Sequence, residues 1–216
     1  MVRHLPFLFP WLCFGRAIYR KTASALFRLR SGRDTTMPQL ESFRLLLREP
    51  LPGDAPALAE GLADYDVAKF LATAPHPYSE DDAKAFLAKA VELRAKGEAY
   101  EFAILRKEDL KVIGLCGLHL KESRYEIGYW IAKPFWGQGY ATEAVRKLLA
   151  FAFHDMKATE VWAGWYHDNL ASGQVLRKLG FEAVGVEKRH SVARGEAILC
   201  NRTMLTREHF GRKKAA

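Results

Sequence analysis

Lys133-Pro134-Phe135-Trp136-Gly137-Gln138-Gly139-Tyr140-Ala141-Thr142 joins an apolar stretch at 125–131 to a helical pattern carried by Ala141, Ala144, Val145, Leu148, Leu149 and Ala152. The helical residues recur at i, i+3, i+4, i+7, i+8 and i+11, one face of a 3.6-residue period. Gly137, Gly139 and Ala141 alternate, which strips side chains from one face of the turn and lets successive backbone N–H groups converge on an anion. The helix that follows adds the positive end of its dipole at the same place. The outline is a pyrophosphate cradle of neither common kind. The GxxxxGK[ST] spacing and its lysine are missing, as are the third glycine and ribose-binding acid of a dinucleotide fingerprint.

Working outward, the chain before the loop predicts a first strand at 43–48, then a helix at 55–64 after the Pro50, Pro52, Gly53, Asp54 break. Ser79-x-x-Asp82 predicts a capped helix whose face carries Ala83, Phe86, Leu87, Ala90 and Val91 and which stops at Gly97. Strands at 100–105, 112–120 and 125–131, joined by short polar turns, predict an antiparallel meander. After the loop and its helix come a strand at 160–165, a helix at 172–179 stopped by Gly180, and a closing strand at 197–206. The fold class is α/β (α+β): a mixed, mostly antiparallel central sheet of six to seven strands flanked by about four helices.

Composition narrows the function classes. The 216 residues are 49% hydrophobic and 27% charged, an ordinary globular balance. The net charge of +8 points toward nucleic acid until it is located. Residues 1–36 carry seven basic groups against one acid, and the remaining 180 residues hold 26 basic and 24 acidic groups. The excess therefore belongs to an N-terminal extension, and no base-reading module accompanies it. That extension holds an apolar run, LPFLFPWLCF, about half the length a bilayer span needs. It reads as a targeting peptide, an interfacial anchor, or sequence upstream of a start at Met37. The domain is expected over 37–210, with a basic tail at 211–216. Cys13, Cys116 and Cys200 have no zinc or redox spacing, Cys116 and Cys200 read as buried inert thiols, and a reducing, cytoplasmic setting is the default. An organelle or membrane association would run through residues 1–36.

A second motif, Asn169-Leu170-Ala171-Ser172 followed by Val175-Leu176-Arg177-Lys178-Leu179-Gly180-Phe181, lies after the strand at 160–165. Together with the glycine loop it resembles the two signature motifs of the GNAT acetyltransferase superfamily. The run EIGYWIAKPFWGQGYATEA resembles most the RimJ/RimL-like branch, which contains the ribosomal-protein-alanine N-acetyltransferases. The resemblance covers roughly 40–210 and implies a sheet splayed at its middle strands, between 126–131 and 161–165. It implies an acetyl-CoA-dependent N-acetyltransferase, acting by direct attack in a ternary complex. The amine acceptor would be a protein or peptide N-terminus or a small amine. A non-catalytic acyl-CoA-binding module is the alternative. It implies no metal and no nucleic-acid partner, leaves a homodimer open, and confines membrane contact to residues 1–36.

Residue by residue, the resemblance implies that Trp130 and Ile131 offer unpaired backbone groups to the pantetheine arm. Gly137, Gln138, Gly139, Tyr140, Ala141 and Thr142 would hold the pyrophosphate. Asn169 would sit near the cofactor arm, Ser172 would protonate the leaving thiolate, and Lys178 would add a cation, with Arg146, Lys147 and Arg177 as neighbours. Amine acetylation needs a proton acceptor at neutral pH, and Glu126 is the candidate, its pKa expected to rise through burial beside the cleft. Tyr129, Tyr166 and His167 are expected near the same cleft, and His76-Pro77-Tyr78 at the lip of an acceptor pocket built largely from 54–96. Three positions depart from the pattern. Trp136 replaces a phosphate-binding Arg or Gln, Leu176 replaces a tyrosine acid, and Val184-Gly185 replaces a Glu-Gly pair.

Overall fold

Ser79 and Asp82 form the reciprocal cap their spacing predicts: the Ser79 hydroxyl accepts from the Asp82 N–H, and the Asp82 carboxylate accepts from the Ser79 N–H. This helix is one of a series in the computed structural model, which describes residues 37–212; the expectations for residues 1–36, Cys13 and 213–216 lie outside that range. In chain order the elements are β1 (Leu40–Glu41), β2 (Leu45–Arg48), α1 (Ala55–Ala63), α2 (Tyr65–Ala68), α3 (Glu80–Ala95), β3 (Ala99–Arg106), β4 (Val112–Lys121) and β5 (Arg124–Ile131). There follow α4 (Tyr140–Ala150), β6 (Glu160–Tyr166), α5 (Leu170–Leu179), β7 (Glu182–Ser191), β8 (Glu196–Thr206) and α6 (Arg207–Arg212). A single wider turn, Phe151–Asp155, extends α4.

The strands make one sheet in the order β1-β2-β3-β4-β5-β6-β8-β7. Every neighbouring pair is antiparallel except β5 and β6. That parallel pair is short: Tyr125, Glu126 and Ile127 face Val161, Trp162 and Ala163, and the pairing then stops. Beyond it β5 stays paired to β4 as far as Ile131, and β6 stays paired to β8 as far as Tyr166. The sheet therefore opens in its middle, the splay implied by the resemblance.

Helices cover both faces. On one, α4 and α5 bury the main core, including Phe102, Ile104, Leu118, Val145, Leu148, Leu149, Phe153, Val161, Leu176 and Leu205. On the other, α1 and α3 close a smaller cluster of Ala55, Leu58, Ala83, Leu87 and Leu115. A third patch, Tyr166, Ile198 and Cys200 with Phe70, ties β6 and β8 to the segment after α2. Among the described residues no helix is long and apolar enough to cross a membrane.

The expected elements reappear with three differences. Phe43, placed in the first strand, lies in the β1–β2 turn and is 93% exposed, because β2 begins only at Leu45. Val91 is half exposed on α3, since the narrow buried stripe there is made by Ala83, Leu87 and Ala90. β7 adds a long edge strand, β1 a two-residue one, and α2 and α6 are short helices beside the four main ones. α6 also runs past 210, with Phe210 buried against Phe153.

Candidate active site

The loop at 133–139 leaves β5, makes a short 3₁₀ turn at Lys133–Phe135, and enters α4 through two left-handed glycines, Gly137 at φ 73° and Gly139 at φ 80°. Only glycine adopts this conformation without cost, and a Cβ on Gly137 would meet nothing within 4 Å, so the concave side of the turn is open. At the start of α4 the N–H groups of Tyr140, Ala141 and Thr142 have no carbonyl one turn earlier to bond. Gln138 is held from both ends: its side-chain amide donates to the Pro134 carbonyl at 3.2 Å, and its own carbonyl accepts from Arg44 Nη1 at 2.9 Å.

Arg44 and Trp136 brace this loop, and neither brace was expected from the sequence. Arg44 sits in the β1–β2 turn, stacks 4.4 Å over the Tyr140 ring and pairs with Glu143 in the first turn of α4. Glu143 also accepts from the Arg44 N–H and the Ser42 hydroxyl. Partial burial would push its carboxyl up, but these donors and the guanidinium outweigh that and hold it below its usual range. The acid closest to the cradle is thereby neutralised. Trp136, standing where relatives carry a cation, donates its indole N–H to the Ile131 carbonyl at 2.6 Å and pins the loop to the end of β5.

That bond corrects one expectation for the gap. The Ala132 N–H donates to Ile113 on β4, so by the alternation of an antiparallel ladder Trp130 turns its backbone groups to β4 as well. Tyr129 and Ile131 face the gap instead, and the Ile131 carbonyl is already taken by Trp136. The free backbone of the gap is therefore centred on Tyr129 and the Ile131 N–H rather than on Trp130.

α5 begins at the matching end of β6. The Asn169 side-chain oxygen accepts from the Ser172 N–H at 3.1 Å, the work of an N-cap, so its carboxamide oxygen orders the helix start. Ser172 Oγ lies 2.8 Å from the Tyr129 hydroxyl. Burial pushes the Tyr129 phenol above its ordinary range, against the opposing bond from Ser172, so it stays protonated. Leu176, where a tyrosine acid was missing, is fully buried core, and Tyr129 supplies a phenol from the opposite strand. Lys178 lies exposed in the last turn of α5, about 9 Å along the axis from Ser172, and is not gathered with these groups. Arg146 and Arg177 are likewise exposed, and Lys147 is half-buried on α4.

Glu126 behaves differently from the expectation. It is buried, and Arg189 Nη1, Lys121 Nζ and Arg202 Nη1 lie 2.6, 3.2 and 3.6 Å from its carboxylate oxygens. Burial would raise its pKa, but the three cations together outweigh that and hold it below the usual carboxylate range. The expected rise does not occur, because β7 and β8 bring two arginines over the sheet. Tyr166 is also structural, its hydroxyl donating to the His190 carbonyl at 2.8 Å, and His167 is exposed with its backbone N–H bonded to Leu199. Cys116 and Cys200 are buried thiols whose pKa burial pushes up, as expected of inert ones. Among the described residues no group of three or more His, Cys, Asp or Glu is placed to hold a metal ion.

Two helix N-termini thus open onto one gap between splayed parallel strands, with a left-handed glycine cradle at its mouth. The profile of the acetyltransferase (GNAT) domain matches residues 44–182. The chain belongs to the GNAT acetyltransferase family, and it is an N-acetyltransferase. It is 31% identical over 179 residues to the uncharacterized N-acetyltransferase p20 of Bacillus licheniformis, spanning 81% of this chain and 100% of that one. Among solved structures, an acetyltransferase from T. thermophilus superposes with a TM-score of 0.71 at 25% identity, covering 83% of this N-acetyltransferase and 95% of that chain. A RimL ribosomal L7/L12 alpha-N-protein acetyltransferase in complex with coenzyme A shares the fold, with a TM-score of 0.70 at 20% identity over 78% and 98% of the two chains.

Proposed function

We propose that the enzyme transfers an acetyl group from acetyl-CoA to a primary amine by direct attack in a ternary complex. The observation that carries this reading is the gap beyond Ile127 and Ala163, with the glycine cradle and both helix N-termini at its open end. The pyrophosphate fits the N–H groups from Gly137 to Thr142, where the turn is open and the nearest acid is neutralised by Arg44. The pantetheine arm fits the unpaired backbone of Tyr129 and Ile131. Ser172, hydrogen-bonded to the Tyr129 phenol, is placed to return a proton to the departing thiolate. No cysteine joins this chemistry, since both described thiols are buried.

The acceptor belongs on the opposite face of the sheet, beyond α1 and α3, where Glu126, Lys121, Arg189 and Arg202 lie. A protein N-terminus, a peptide or a small amine all satisfy the chemistry. The buried free thiols suit a reducing compartment such as the cytoplasm.

Calorimetric titration of acetyl-CoA into the full chain, with desulfo-CoA as a second ligand, tests the binding half. One-site binding at roughly micromolar affinity is expected. Thiol release with a panel of primary amines tests the transfer half. Folded protein that binds neither ligand would refute the reading, and binding without acetylation of any amine would refute the transfer.

A further inference from the structure

Two glycines stand directly opposite each other on the acceptor face. Gly117 of β4 pairs with Gly128 of β5, and Glu101 of β3 pairs with Gly117 from the other side. Partners in adjacent strands share a face, so the row Glu101–Gly117–Gly128 has one side chain and two bare backbones. The Glu101 carboxylate fills the space this leaves: a Cβ on Gly117 would come within 2.1 Å of Glu101 Oε2. Two residues along β4, His119 leans into the same strip. Its Nε2 lies 3.1 Å from Glu101 Oε1 and within 3.7 Å of where a Gly128 Cβ would stand. Gly128 is open to solvent, and β5 parts from β6 at that residue.

The two members of this pair differ in exposure. The Glu101 side chain is only 5% exposed, and its Oε2 has no hydrogen-bond partner, while the His119 side chain is 37% exposed. A buried carboxylate beside a neutral imidazole is costly. It becomes one half of an ion pair when the imidazole takes up a proton. Burial pushes the Glu101 carboxyl up against the opposing pull of His119, which is the same cost seen from the acid's side. With Nε2 turned to the carboxylate, Nδ1 keeps the lone pair. The other charged groups around His119 are Lys121 on its own strand and Glu126, its register partner on β5. Arg94 of α3, paired with Glu49, lines the small cavity beside Glu101.

We propose that His119 takes the proton from the acceptor amine, and that Glu101 is the positioning residue that orients the ring and stabilises the imidazolium. This rests on the acetyl-transfer reading above and replaces Glu126, already committed to three cations, as proton acceptor. The acceptor arrives as an ammonium and gives one proton to His119. Its freed lone pair then forms the N–C bond to the thioester carbon as the C–S bond breaks onto sulfur. The second amine proton goes to the thiolate, through Ser172, as the amide forms. The products are the amide, the free thiol and protonated His119, which returns its proton to water.

The test is the pH profile of kcat/KM for the full chain with its best amine from the panel, over pH 5.5–9.5 as the working window. His119→Gln is expected to lose about 100-fold at neutral pH and to lose the acidic limb. The loss should shrink toward high pH, where an α-amino group of pKa about 8 deprotonates unaided. Glu101→Gln removes the counter-charge, so its limb should move to lower pH with roughly a tenfold loss. Glu126→Gln should keep the limb, and acetyl-CoA affinity should be unchanged in both dyad variants. An acidic limb retained in His119→Gln, or lost only in Glu126→Gln, would overturn the proposal. Should His119→Gln fail to fold, histidine side-chain NMR titration decides: a higher His119 pKa in wild type than in Glu101→Gln supports the pair, and equal values overturn it. Wild type that binds acetyl-CoA yet acetylates no amine would overturn the acetyl-transfer reading itself, while the NMR titration still reports on the pair.

Discussion

The two faces of the sheet are built on opposite principles. Under α4 and α5 the side chains are apolar and close-packed, with Phe102, Phe153, Leu148 and Leu149 almost wholly buried. On the far face, β3 to β8 bury carboxylates and guanidiniums among themselves: Glu101, Glu126 and Arg189 are all nearly out of water. The first face holds the gap and its helix N-termini rigidly in place. The second holds charge in a weakly solvated setting, where protons and ion pairs have large consequences. Stability is concentrated in one face and chemistry in the other.

Substitutions on the two faces should separate these roles. Phe153→Ala should cost about 3–5 kcal/mol by denaturant unfolding, the loss of a large ring from a packed core. A loss under 1 kcal/mol would mean that the apolar face does not dominate stability. Glu126→Gln leaves two arginines and a lysine without their carboxylate and should cost about 2–3 kcal/mol at neutral pH. Because its folded pKa is depressed, that contribution is present above the ordinary carboxyl range and is lost as pH falls through the folded pKa. The variant and wild type should therefore converge in strongly acidic solution.

Gly139→Ala forces a Cβ into a left-handed position beside Arg44, and about tenfold weaker acetyl-CoA binding is expected by calorimetry. Glu101→Gln should have the smallest effect on folding and the opposite sign. A carboxyl whose folded pKa is raised destabilises the protein as pH climbs above the unfolded value, so the amide should melt about 1 kcal/mol more stably at neutral pH. Lower activity with higher stability would mark Glu101 as a group kept for chemistry. A less stable Glu101→Gln would place it with Glu126 as a structural charge.

The same contrast explains what could be read in advance. The helices α3 and α4 announce themselves because a local cap and a 3.6-residue stripe are written in consecutive residues, and the cradle because two glycines alternate before a helix. β7 does not: it is an edge strand exposed along most of its length, bent at Gly185, so no alternation of apolar and polar residues marks it. Arg189 rides on β7, and without that strand nothing places a guanidinium over Glu126. Glu101 and His119 are eighteen residues apart and meet only through the β3–β4 register. The one trace they leave is the pair of glycines in neighbouring strands, whose meaning depends on knowing that they face each other. The Arg44 brace on Gln138 likewise joins two ends of the chain through folding alone.

The sheet is joined across its middle by only three residue pairs, and this has a thermodynamic consequence. Each half is closed by its own antiparallel ladder, so the seam between them is the place where backbone pairing is deficient. An extended ligand arm laid along Tyr129 and Ile131 would act as the missing rung, bonding groups that otherwise face solvent. Ligand occupancy and the cohesion of the two halves would then be a single coupled equilibrium, with resistance to unfolding rising as RT ln(1 + [L]/Kd).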